Sequence, residues 1–226
     1  MRRIIIVRPE PGASATAARA AALGLDACTV PLFAIESLDW HVPDIAAYDA
    51  LLLTSANAVR HGGPGLAALA GLPCHAVGAA TAAAADAAGL KIAGIGTAGA
   101  QPLVEAMTSS GHRAILWLTG EERSEIAGDA ARITPLVCYR AAEIAEPSGW
   151  TEAIAAPAVL LLHSARAARR AAALVGAARK HLIALAISDA VAAAAGRGWE
   201  DCIAAPRPDD DAMLAMAAKL CQTTTP

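Results

Sequence analysis

Apolar residues in this chain come in short unbroken runs, each halted by a hydroxyl residue or a glycine and followed by an alanine-rich stretch. Leu51-Leu52-Leu53 stops at Thr54-Ser55 and passes into Ala56-Asn57-Ala58-Val59-Arg60. The same sentence is written again as Leu160-Leu161-Leu162-His163-Ser164 and Ala165-Arg166-Ala167-Ala168-Arg169. Such a run, without polar alternation, suits a parallel strand buried on both faces that hands over to a helix. A second pair follows in the same order. Ala76-Val77-Gly78-Ala79-Ala80-Thr81 leads into an alanine run ending at Gly89, and Ala184-Leu185-Ala186-Ile187-Ser188-Asp189 leads into one ending at Gly196. Two strand–turn–helix units repeated in order predict two similar α/β lobes rather than one large sheet.

Read from its start, the chain opens with a buried strand over Ile4–Val7, broken by Arg8-Pro9-Glu10-Pro11-Gly12. Ser14 or Thr16 is expected to cap a helix running to about Leu23, which Gly24 ends. A short strand over Cys28–Val30 comes next. Pro31 to Leu38 and Ile133 to Ile144 are extended and only partly alternating, so they read as an antiparallel pair of linkers. Between them lie four expected strands, Ala50–Leu53, Cys74–Val77, Ile92–Ile95 and Ala114–Leu118. The fold class is therefore α/β, with two lobes of parallel sheet flanked by helices, one inserted in the other. The expected boundaries are 1–33 and 146–226 for the first lobe, 40–132 for the second, and 34–39 and 133–145 for the linker strands. Beyond Pro157 the first lobe resumes as strand Val159–Leu162, helix Ala165–Val175, strand Ile183–Ile187, helix Ala190–Ala195 and a short strand near Asp201–Ala205. Asp209-Asp210-Asp211 reads as the acidic start of a last helix to about Leu220, with Gln222 to Pro226 a frayed tail.

Composition narrows the chemistry. The 226 residues are 56% hydrophobic but 3% aromatic, so the core is aliphatic and lined by alanine. A net charge of −3 with no Lys/Arg block argues against nucleic-acid binding, which draws on a basic surface. Five scattered cysteines without a CxxC pair argue against a zinc site or disulfide framework and fit a reducing, cytoplasmic compartment. Arg8-Pro9-Glu10 cuts the first apolar run too short for a signal peptide, and no run reaches the length of a membrane span. A monomer is the simplest expectation.

Ligands of open parallel sheets bind beyond the carboxyl ends of the strands. That rule selects Arg8, Thr54, Ser55, Asn57, Gly78, Thr81, Thr119, Gly120, Ser164, Arg166 and Ser188. Each has a second reading. Ser55, Ser164 and Ser188 stand where helix N-caps stand, and Thr81 lies in a first turn where it can cap or face a ligand. Arg8 can be a surface charge, and Tyr139 can pack with its phenol reaching water. The six histidines show no HxxxH or HxH pair, no serine sits in a Gly-x-Ser-x-Gly elbow, and neither GxGxxG nor a Walker A loop occurs.

Taken together these stretches resemble uroporphyrinogen-III synthase. The resemblance rests on Val7-Arg8-Pro9, Leu53 to Arg60, Val77 to Ala82, Val137-Cys138-Tyr139-Arg140, Leu162 to Arg169, Ile187 to Val191, and Ala205-Pro206-Arg207-Pro208. It implies two α/β lobes joined by a two-stranded ladder, with the substrate between them and no cofactor or metal. The implied reaction is cyclisation of hydroxymethylbilane, a linear tetrapyrrole, to uroporphyrinogen III with loss of water and inversion of the last ring. The implied catalytic residues are Tyr139 and Thr81, with Ser164 prominent among the substrate contacts; His163 stands where an aromatic residue is common. The substrate would come from the preceding pathway enzyme, with neither nucleic acid nor membrane as partner. A non-enzymatic bilobal sensor closing on an anionic small molecule would use the same repeat and rim.

Overall fold

Contacts divide the chain into two units, Met1–Ala34 with Ala142–Pro226, and Ile35–Ala141. The computed structural model describes residues 2–127 and 130–222; of the tail expected from Gln222, Gln222 itself is the last residue of the final helix, and the rest lies outside the described residues. In chain order the elements are β1 (Arg3–Ile6), α1 (Gly12–Ala22), β2 (Ala27–Thr29), β3 (Phe33–Ser37), β4 (Ala50–Leu53), α2 (Ala56–Arg60), β5 (Cys74–Val77), α3 (Ala79–Ala87) and β6 (Ile92–Gly96). They continue as α4 (Ala100–Ser109), β7 (Ala114–Gly120), β8 (Arg132–Glu143), α5 (Trp150–Ala153), β9 (Ala158–Leu162) and α6 (Ala165–Leu174). The chain ends with β10 (Leu182–Ala186), α7 (Asp189–Ala195), β11 (Asp201–Ala204) and α8 (Asp210–Gln222).

The first unit holds a five-stranded sheet in the order β11-β10-β9-β1-β2. All of its pairings are parallel. The second holds a six-stranded sheet in the order β3-β8-β7-β4-β5-β6, parallel from β8 to β6. In both, the strands that read as unbroken apolar runs are central. Ile4–Ile6, Leu51–Leu53 and Leu160–Leu162 are all fully buried, because helices cover both faces of a parallel sheet. Each such side chain adds about 1.5–3 kcal/mol of burial. Alanines bring the helices close: Ala167, Ala168 and Ala171 are the buried face of α6, and Ala13 and Ala20 are buried in α1.

One expectation is extended and one is corrected. The two linker strands pair antiparallel, as their extended pattern implied, and are continuous with the second unit's sheet. Leu38 N–H donates to Cys138 O and Ile144 N–H to Leu32 O, which makes β3 antiparallel to β8. β8 also pairs parallel with β7, which its weak alternation did not announce. Second, neither Ser14 nor Thr16 caps α1, which begins at Gly12 with both inside it. Glu10 takes the capping role instead, accepting from the Ser14 N–H at 3.0 Å and the Ser14 hydroxyl at 2.9 Å.

The cysteines are all free thiols. Burial pushes the Cys74 thiol up to about 12 and the Cys138 thiol up to about 11. The thiolate is the reactive form. In the folded protein near neutrality, half-buried Cys28 and Cys202 should therefore react with a thiol reagent well before Cys74 and Cys138. Mass-spectrometric mapping of partial labelling checks this, and Cys74 reacting as fast as Cys28 would contradict it.

Candidate functional site

The strand order lines up the residues that follow each strand. In the second unit β8, β7, β4 and β5 are neighbours, so Gly120 at the end of β7, Thr54–Ser55 after β4 and Gly78 after β5 stand in one row, which Tyr139 joins from within β8 by its pairing with Gly120. Leu53 pairs with Ala76 on one side and Leu118 on the other, which fixes the level of these ends.

Each rim residue has a partner or position set by the local fold. Thr54 Oγ1 accepts from Trp117 Nε1 at 3.1 Å. Ser55 is the N-cap of α2, its Oγ accepting from the Asn57 N–H at 3.2 Å, while Asn57 Oδ1 accepts from Arg60 at 3.2 Å. Gly78 takes φ +83°, open to glycine and strained for other residues, and starts α3 without a side-chain cap. The ladder of α3 begins with Ala82 N–H donating to Gly78 O. The N–H groups before that point are the ones a helix leaves for other acceptors. Thr81 lies in this first turn and is buried.

Tyr139 is the least expected in its placement. Along β8, Ile133 packs with Trp117 and Met107 on one face, and Leu136 and Cys138 pack with Leu118 and Val59 on the other. Alternation would send Tyr139 to the Trp117 face. A register shift between Thr119 and Gly120 sets Gly120 opposite Tyr139 and leaves Cys138 over. Such a bulge re-aims the side chain that follows it. Tyr139 accordingly packs with Leu136 and Cys138 on the α2 side, its ring 6.1 Å from that of His61. His61 Nδ1 lies 3.0 Å from the Ser37 hydroxyl. Burial raises the phenol's pKa above its ordinary value, and a hydrogen bond with Ser55 only partly offsets it. The group stays a neutral O–H donor throughout the neutral range. A hollow of about 500 Å³ beside Trp117, Ile126 and Ile133 lies on the other face and is lined by Glu121, Arg123 and Glu125.

In the first unit β1, β9 and β10 are neighbours, so Arg8, His163–Ser164 and Ser188 share one edge. Ser164 caps α6, accepting from the Ala167 N–H at 3.1 Å. Ser188 stands at the N-cap position of α7 without a side-chain capping bond. The Arg166 guanidinium lies 4.5 Å over the Phe33 ring, an aromatic support that orients the charge.

Arg8 is not an unengaged rim charge. Its Nη1 donates to Asp210 at 3.2 Å and to the Thr16 hydroxyl at 3.3 Å. The same carboxylate accepts from Thr16 at 2.6 Å, from Arg19, and lies 2.7 Å from His163 Nε2. Burial alone would raise the Asp210 carboxyl, but hydrogen bonds from His163 and Thr16 and the charges of His163 and Arg8 hold it well below the usual range. Sequence reasoning missed this knot. In the acidic run, Asp209 is the cap, accepting from the Ala212 N–H at 2.7 Å, and Asp210 turns inward. Among the described residues, no cluster of three or more His, Cys, Asp or Glu is placed to hold a metal ion. Nor is any helix long and apolar enough to cross a membrane.

A family model described as uroporphyrinogen-III synthase HemD matches residues 14–215. No curated protein matches the sequence. Among solved structures the chain is similar to uroporphyrinogen-III synthetase from Helicobacter pylori 26695, at 18% identity and TM-score 0.70, covering 97% of this chain and 100% of that one. It is also similar to a mutant uroporphyrinogen III synthase from the extremely thermophilic bacterium Thermus thermophilus, at 19% identity and TM-score 0.54, covering 98% and 99%. Those identities speak for the fold, whereas the family match spans nearly all of the sequence: the chain belongs to the uroporphyrinogen-III synthase family.

Proposed function

We propose that this chain is a hydro-lyase that performs its family's cyclisation with Tyr139 as proton donor to the departing hydroxyl. The substrate, hydroxymethylbilane, loses its terminal hydroxyl, forms a spiro intermediate, and recloses with the last ring inverted. The pyrrole nitrogens supply the push that breaks the C–O bond. The protein then needs only a modest acid near the leaving oxygen. The phenol gives its proton, water departs, and the proton released on ring closure restores the phenol. The observation that supports this reading is the bulge that pairs Tyr139 with Gly120 at the end of β7 and turns it toward Ser55, with its O–H kept protonated.

Carboxylate capture falls to backbone N–H groups rather than to a basic field, since the net charge is −3. The N-terminal turns of α3, with Gly78 and Thr81, and of α6, with Ser164 and Arg166, supply them. α2 spans five residues and adds little dipole, so Ser55 acts there through its hydroxyl. Thr54 and Asn57 after β4 in the second unit and Ser188 after β10 in the first act as neutral contacts, and Arg8 contributes through its bond to Asp210. Holding the bilane so that the inverted closure is the near-attack geometry supplies the selectivity. Five free cysteines fit a cytoplasmic setting, with substrate received from the preceding pathway enzyme.

The test uses the competing uncatalysed route. Hydroxymethylbilane closes by itself to the type I isomer. Incubated with the protein, oxidised and resolved by chromatography, it should appear mainly as type III. Type I alone at high protein concentration would remove the synthase reading.

A further inference from the structure

We infer that Gly120 is a positioning residue, whose missing side chain is the seat that fixes the Tyr139 ring across the end of β7. The inference rests on the proposed role of Tyr139 and adds the device that aims it.

A Cβ built on Gly120 would meet Tyr139 Cε2 and Cζ at 2.7 Å and the phenol oxygen at 3.0 Å. All three of its nearest atoms belong to Tyr139, so that ring is the first thing an added side chain would displace. Gly120 is not among the glycines with positive φ. Backbone freedom therefore does not account for a glycine here, and an alanine meets no conformational penalty. The bulge supplies the second half of the device. By leaving Cys138 over, it turns Tyr139 onto the face to which the Cβ of residue 120 would point, two strands from Ser55 in the order β8-β7-β4. Cys138 is pinned in place, its Sγ 3.6 Å from both Ala58 O and Thr119 O. Without the bulge the phenol would face Trp117; without the bare glycine it would be pushed off β7 and away from Ser55.

Gly120→Ala tests this in the full chain, compared with Tyr139→Phe and with the double variant. Gly120→Ala is expected to lower kcat by a factor no greater than Tyr139→Phe does, with KM little changed. In the Tyr139→Phe background the same change should leave kcat where it was, because the two act through one oxygen. A second readout does not depend on turnover. With Tyr48→Phe removing the other tyrosine, ultraviolet difference titration follows the Tyr139 phenol alone. Its midpoint should fall toward the ordinary phenol value in Gly120→Ala as the ring leaves its buried seat. An unmoved midpoint overturns the seat, as does a kcat loss of equal size in both backgrounds. If Tyr139→Phe alone keeps full turnover, the donor reading fails while the titration still decides the seat. Should Gly120→Ala fail to fold, adding Tyr139→Ala is expected to restore thermal stability to that of Tyr139→Ala, and failure to do so overturns the inference.

Discussion

Tyr139→Phe is expected to lower kcat by roughly 10–100-fold while KM stays within about twofold, the mark of an interaction made mainly in the transition state. The substitution isolates the oxygen. A phenylalanine ring keeps its packing with Leu136 and Cys138 and its approach to His61, and Ser55 keeps its bond to the Asn57 N–H. Loss of one partly buried hydrogen bond costs about 1 kcal/mol of stability, so the variant folds. The loss in rate stays at the low end for a proton donor because the substrate's own nitrogens do most of the expulsion. A tenfold change corresponds to about 1.4 kcal/mol of barrier, the scale of one well-placed hydrogen bond. What enzyme-catalysed product remains should still be type III, since positioning rather than proton transfer selects the isomer. The type I share rises only as uncatalysed closure catches up. Steady-state kinetics with isomer analysis at several enzyme concentrations measures both, and an unchanged kcat would take Tyr139 out of the donor role.

Much of this architecture was readable because burial on both faces leaves an unmistakable trace. β4, the apolar part of β1 and the centre of β9 follow from apolar runs alone, and Ser55 and Ser164 were placed by the hydroxyl that ends each run. What was not readable is a matter of direction. The bulge at Cys138 leaves no mark in composition or periodicity; it appears only when β7 and β8 are set in register. For the same reason β3 and β8 read as an antiparallel linker pair but not as part of a six-stranded sheet, since a strand at or near a sheet edge need not alternate strictly. An acidic run before a helix gives one sequence signal for two fates, a carboxylate in water complementing the dipole or one turned into the protein. Asp209 took the capping role, and Asp210 turned inward. His163 in turn makes sense only beside Asp210.

That buried carboxylate yields the largest expected effect on stability. Asp210 is 7% exposed and faces Arg8, Arg19, Thr16 and His163, all from other elements. Asp210→Asn removes the charge and turns an amide N–H₂ toward groups that are themselves donors. Breaking a buried pair by removing one partner costs about 3–5 kcal/mol; with Arg8 and Arg19 partly in water, a loss of about 2–4 kcal/mol near neutrality is expected. In a chain this size that corresponds to a fall in Tm on the order of 5–10 °C. The pH dependence has a definite sign. The folded carboxyl binds its proton more weakly than the unfolded one, whose pKa is about 3.9, so acid favours unfolding. The contribution is whole above the unfolded value and is lost as pH falls through the folded one. Urea unfolding of both proteins should therefore show a wide gap near pH 7 that narrows steadily below about pH 4. A gap of constant width down to the acid limit would mean that Asp210 stabilises the fold by shape and not by charge. The same substitution releases Arg8 at the end of β1 and His163 at the end of β9, so weaker substrate binding should accompany the lost stability and appear in KM before kcat.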